Sequence, residues 1–129
     1  MREWIFSLFL VAHGWAHIWY VMLSRRLVEF EEWMAWTGES WILSGLLGES
    51  TRLWIATLGY AGSLLGFIAS GVLLYLNKPI WRTTAITSAL LSSATVLLFW
   101  DGNLSMIKEK GIIGLLINLA ILVYITKIM

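Results

Sequence analysis

His13 and His17 are the two histidines of this 129-residue chain. Four residues apart, they leave the same face of a helix. His13 falls near the middle of the apolar run Trp4 to Leu23, and His17 lies about 6 Å further along at the helical rise. An ionisable side chain at such depth marks a functional site by default. Charge is costly there, so both rings are expected to be neutral unless an acid is nearby. Three kinds of chemistry fit the pair. The rings can hydrogen-bond across helices, His13 to Asn118 or to a hydroxyl of the third apolar run. They can form the polar end of a cavity for a lipophilic molecule. They can ligate a metal, since a His pair at this spacing chelates from one face. Two ligands do not complete a metal site, so a carboxylate must come from Asp101 or from the Glu29 to Glu32 cluster. Both side chains leave one side of one helix, so they cannot hold a haem on both faces. A haem needs another ligand, such as Met, or a second copy of the chain.

The other candidate binding residues are Asn118, Ser88 and Ser92. Thr84, Ser88, Ser92 and Thr95 recur on one face of the third run. Their hydroxyls either bond back to their own helix or form the polar wall of a cavity. Asn118 sits near the middle of the fourth run, where an amide needs a partner and is expected to face inward. No HExxH, GxSxG or phosphate-binding glycine loop is present, and no catalytic set is assigned. The chain has no Cys, which excludes disulfides and thiolate chemistry. A net charge of +1 gives no basic footprint for nucleic acid.

The elements that must position these residues follow from composition. Of the 129 residues, 59% are hydrophobic and 13% charged, against about 25% charged in soluble domains. Mean hydropathy is +0.78. A bilayer span needs about 20 apolar residues, so the apolar content suffices for close to four spans. The sequence therefore predicts one all-α domain, an integral membrane four-helix bundle with spans at about 4–23, 53–76, 80–100 and 108–127. Helices satisfy their own backbone groups in lipid. Asn77-Lys78-Pro79 makes a turn, with Pro79 suited to a first helical turn, and Asp101-Gly102-Asn103 stops the third run. Small residues at Gly59, Gly62, Gly66 and Ser70 form a packing face on the second span, which includes a GxxxG. Gly111 and Gly114 share a face with Asn118 on the fourth. The face on the second span serves contacts within the bundle or a seam between two copies.

Residues 25–52 form the long connection, with five Glu and three Trp interleaved. One or two short interfacial helices are expected there, separated at Thr37-Gly38, with Trp at headgroup level. They act as a cap on the bundle or as a gate over a pocket. Lys and Arg divide almost evenly between the two ends, while acids gather opposite the termini. The expected orientation places both termini in the cytoplasm.

Leu10-Val11-Ala12-His13-Gly14-Trp15-Ala16-His17 resembles the His-Gly-x-x-His first-span motif of small four-span prokaryotic membrane proteins that are broadly DoxX-like. Leu98-Phe99-Trp100-Asp101 and Gly114 to Ala120 resemble the ends of the third and fourth spans in such proteins. The resemblance implies a helical bundle in a prokaryotic plasma (inner) membrane and an association with quinone or thiol redox systems. The missing Cys removes the thiol part. The positions it carries over are His13, His17, Asn118 and Asp101. Three functions are expected in turn. The first is a membrane protein that binds a quinone or lipid near His13 and His17. The second is a structural or assembly subunit of a larger membrane complex or homo-oligomer. The third is a metal or haem protein. The lipid bilayer is a partner in all three, and the cofactor is left open.

Overall fold

The computed structural model describes residues 2–27, 38–100 and 112–128. These residues are helical, with no strand among them. The order is α1 (Arg2–Ala16), α2 (Ile18–Ser24), a 3-10 turn (Leu43–Gly45), α3 (Glu49–Tyr75), α4 (Trp81–Leu98) and α5 (Ile113–Val123), which continues as a π-helix over Tyr124–Ile128. Two stretches are long and apolar enough to cross a membrane, Trp4–Ser24 and Glu49–Tyr75. Residues 28–37 and 101–111 lie outside the described set. With them go the Glu29 to Glu32 cluster, Asp101, Gly111 and the start of the expected fourth span.

The first expected span is two helices that meet at His17. The His17 amide bonds to the Gly14 carbonyl at 3.0 Å, one residue short of the α-helical partner. α2 ends with Arg26 in the left-handed region (φ 56). The Leu27 amide reaches the Met22 carbonyl and the Arg26 amide the Leu23 carbonyl, the paired bonds of a Schellman cap. α3 ends the same way at Asn77 (φ 58), with Lys78 bonded to Leu73 and Asn77 to Leu74. Asparagine tolerates that conformation. Pro79 then prevents continuation. At its other end α3 starts at Glu49, four residues before the apolar run, where a carboxylate favours the helix dipole.

The described part of the long connection caps α4. An α-helix leaves its last carbonyls without partners. Here the Trp41 indole N–H donates to the Leu97 carbonyl at 2.8 Å, the Ser40 hydroxyl to the Leu98 carbonyl, and the Trp41 amide to the Trp100 carbonyl at 2.9 Å. Arg52 ties this loop down through the Leu47 carbonyl at 3.0 Å. Of the one or two expected short helices, the part before Gly38 lies outside the described residues, and the part after it holds only the three-residue 3-10 turn.

Two close helix contacts build the bundle. Along α3 and α4, Gly59 faces Thr95, Gly62 faces Leu91 and Gly66 faces Ser88. That is an antiparallel register with a small residue at each approach. On the opposite side of α3, Gly71 meets Val11 and the Ser7 carbonyl, and Gly14 of α1 meets Phe67 Cβ and the Leu64 carbonyl. The Ser7 hydroxyl donates to the Gly71 carbonyl. The stripe at Gly59, Gly62 and Gly66 thus serves contacts within the chain. Ser70 is fully buried and bonds back to the Phe67 carbonyl at 2.9 Å. Gly114 departs from the expected packing role, since a Cβ there would meet nothing within 4 Å. It borders open space instead of a helix.

The interior forms two apolar clusters. One gathers Leu10, Phe67, Leu74, Trp81, Ala85, Ala89, Ile121 and Ile125. The other gathers Leu23, Leu53, Ala56, Tyr60, Val96 and Phe99. His13, His17, Ser92 and Asn118 lie between them.

Alanine substitutions at the glycines should follow what the new methyl meets. Gly71→Ala and Gly14→Ala drive Cβ against backbone and should cost about 2 kcal/mol or more, in the upper part of the overpacking range. Gly62→Ala meets only the tip of Leu91 and should cost little. Gly114→Ala should be neutral or stabilise by up to about 1 kcal/mol through helix propensity. Unfolding of the purified full chain by titrated denaturing detergent measures the order.

Candidate functional site

The site is built from α1, its junction with α2, α4 and α5. The short turn at His17 leaves the His13 carbonyl without the His17 amide, its usual partner. The His17 side chain supplies a replacement: its Nδ1–H donates to that carbonyl at 2.9 Å. This fixes the tautomer, because a carbonyl can only accept. Nε2 of the neutral ring is then an acceptor and takes the Ser92 hydroxyl proton at 2.6 Å. Asn118 donates its amide protons to Ser92 Oγ at 2.9 Å and to Ser93 Oγ at 3.2 Å. Its Oδ1 accepts from His13 Nε2–H at 2.7 Å. The four side chains form one hydrogen-bonded network in which each N–H and O–H has a defined direction.

The network is well buried. Asn118 is 0% exposed, Ser92 1%, His17 6% and His13 8%. The imidazoles lie 5.1 Å apart at an interplanar angle of 81°, and Phe67 packs edge-on to His13 at 4.8 Å. These neighbours hold the rings in one orientation, which the hydrogen bonds alone would not do.

Beside the network is a cavity of about 280 Å³, partly open to the bundle surface. His13, His17 and Ser92 line its polar side, Trp19, Tyr20 and Tyr60 supply rings, and Gly114 and Ile117 form the α5 wall. Tyr20 and Tyr60 stack at 4.8 Å. Asn118 is not on the cavity; it stands behind Ser92 and His13 and orients both. Ser88 does not reach the cavity, contrary to expectation. Its hydroxyl bonds back to the Thr84 carbonyl at 2.7 Å and fills the notch left by Gly66. Ser88 and Ser92 share a helix stripe, but α3 covers the Ser88 end and the cavity opens at the Ser92 end.

Several lining residues were not singled out from sequence, among them Trp19, Tyr20, Tyr60 and Ile117. Their types are ordinary for an apolar helix, and only the packing around the small Ala16 and Gly114 reveals the space. Gly114 carried the one usable signal, a glycine one turn from Asn118. Among the described residues, no group of three or more His, Asp or Glu comes together to hold a metal. Asp101, the expected third ligand, lies outside those residues.

Compared with known proteins, the chain matches no family model, no curated protein and no solved structure.

Asn118→Ala should destabilise the protein by about 1–3 kcal/mol, the cost of leaving the buried His13 N–H without its acceptor and Ser92 Oγ without its donor. Ser93→Ala removes only the longer amide contact and should cost less. A double-mutant cycle between His13→Phe and Asn118→Leu should give a coupling of about 0.5–1.5 kcal/mol, the net worth of one buried hydrogen bond. Detergent-unfolding midpoints of the four proteins supply the cycle.

Proposed function

We propose that this chain is a four-span integral protein of a prokaryotic plasma membrane, and that it binds a lipophilic small molecule in the cavity beside His13 and His17. The observation that carries this reading is the cavity itself: an apolar, ring-lined space with a buried polar network on one wall. Ligand sites have this composition, mostly apolar walls with a few placed polar groups. An engineered cavity of about 150 Å³ holds benzene. A space of about 280 Å³ matches a ligand, or the head of one, with one substituted ring or two fused rings.

The membrane part rests on where aromatic and apolar residues lie. Trp4, Tyr75, Trp81 and Tyr124 gather at one end of the bundle, with Lys78, Arg82 and Lys127 close by in sequence. Trp41, Trp54 and Trp100 gather at the other, where Arg25 sits 3.7 Å over the Trp54 ring. Along α3, Trp54 and Tyr75 are separated by roughly 32 Å at 1.5 Å per residue. A hydrocarbon core is about 30 Å thick, and Trp and Tyr favour its two boundaries. Between these levels Leu8, Leu58, Leu65, Leu90, Leu116 and Leu119 are exposed on four helices. Outward leucines on these four helices suit lipid better than water.

The test uses the full chain in mild detergent with naphthalene and 2-naphthol as two-ring probes, followed by calorimetry. At least one should bind saturably at one site per chain. Gly114→Leu, which extends a side chain into open space, should abolish binding without lowering the unfolding midpoint. Partitioning of both probes into empty micelles only, or binding unaffected by Gly114→Leu, would overturn the reading. The membrane part is checked separately by retention of the protein in the membrane pellet after alkaline carbonate extraction.

A further inference from the structure

The direction of each hydrogen bond in the network restricts what the cavity can recognise. The neutral His13 ring has one N–H, committed to Asn118 Oδ1. The neutral His17 ring has one, committed to the His13 carbonyl. The Ser92 hydroxyl proton goes to His17 Nε2. Both amide protons of Asn118 go to Ser92 and Ser93. All five donors of the four groups are therefore used inside the network. Acceptor capacity is left over. A hydroxyl oxygen has two lone pairs, and Ser92 Oγ uses one for Asn118. With the proton on Nε2, Nδ1 of His13 is an acceptor. Ser92 and His13 both line the cavity, whereas Ser93 and Asn118 do not.

We infer that the cavity selects lipophilic ligands that carry a hydrogen-bond donor, such as a phenol-type hydroxyl, over ligands of the same shape that offer only carbonyl oxygens. This rests on the cavity being a ligand site, as proposed above, and adds the class of ligand. A carbonyl brought against Ser92 and His13 faces lone pairs and loses its own hydration. A hydroxyl gives its proton to one of them. Tyr20 and Tyr60 present stacked rings to the cavity, and the Tyr60 hydroxyl oxygen is itself buried, so they do not set the preference. The network does, because its one interior arrangement uses up the donors and leaves acceptors facing the ligand.

A substitution at His17 should reverse this behaviour. His17→Phe removes the acceptor of the Ser92 proton, keeps a ring of similar size, and frees that hydroxyl to donate into the cavity. The probes are naphthalene, 2-naphthol and 1,4-naphthoquinone, alike in size and differing in having neither group, a donor, or acceptors only. With the full wild-type chain, 2-naphthol should bind about tenfold or more tightly than 1,4-naphthoquinone, a ratio in line with one buried hydrogen bond made or lost. In His17→Phe the ratio should collapse or invert through a gain in naphthoquinone binding. Equal binding of the three probes by the wild type overturns the donor preference and leaves the cavity as a ligand site. Tighter binding of naphthoquinone also overturns it, as does an unchanged ratio in a folded His17→Phe protein. Binding of none of the three overturns the ligand site as well. The wild-type series decides even if the variant fails to fold.

Discussion

The hydrogen bond from His17 Nδ1–H to the His13 carbonyl is the interaction on which the rest of the site depends. It exists because the helix tightens by one residue at His17 and leaves that carbonyl open. A carbonyl can only accept, so the bond sets the tautomer of His17. The tautomer makes Nε2 an acceptor, which turns the Ser92 hydroxyl toward it. Ser92 then has only lone pairs for Asn118, and Asn118 is oriented with its oxygen toward His13. One local backbone irregularity thus decides the direction of four side-chain hydrogen bonds across three helices. In a surrounding of low polarity such a chain is rigid, since reversing any one bond would set two donors or two acceptors face to face.

The glycines place those helices close enough for the network to close. α3 has a close approach on two sides, toward α4 at Gly59 and Gly66 and toward α1 at Gly71. It therefore acts as a central spacer, holding α1 and α4 at fixed positions on either side. Phe67 is completely buried on this helix, touches both imidazoles and fills the gap the network cannot. Apolar clusters flank the polar layer on both sides. The cavity lies where that layer reaches the α5 wall and Gly114 withholds a side chain.

Much of this arrangement was legible in the sequence, and the reasons differ residue by residue. Helical content and approximate boundaries follow from runs of apolar residues too long for strands. His13, His17 and Asn118 stand out because polar groups at depth are rare and must find partners. The spacing at Gly59, Gly62 and Gly66 pointed to a packing face, though not to the helix on the other side. Ser88 and Ser92 could not be told apart, because one turn of helix separates a hydroxyl under α3 from one beside a cavity. The break at His17 was not read from the sequence, although Gly14, whose carbonyl accepts the His17 amide, lies three residues before it; it is stabilised by the His17 side chain bonding to the His13 carbonyl. The cavity was not legible either. Empty space is a property of what several ordinary residues fail to fill together.

The contact between α3 and α4 has a further consequence. Its glycines, serines and threonines recur at nearly one-turn intervals, and small residues give a helix little means of distinguishing one turn from the next. Sliding α4 by a turn would keep glycine against hydroxyl-bearing residues for much of the length. Such a hairpin can form from two neighbours in the chain and still be out of step. The displacement would carry Ser92 about 5–6 Å away from His17 and Asn118, leaving several polar atoms stranded. A single buried asparagine fixes alignment in coiled coils in the same manner. The polar layer thereby serves as an alignment key: the small residues make adhesion possible almost anywhere along the pair, and the arrival of α1 and α5 rejects every setting but one.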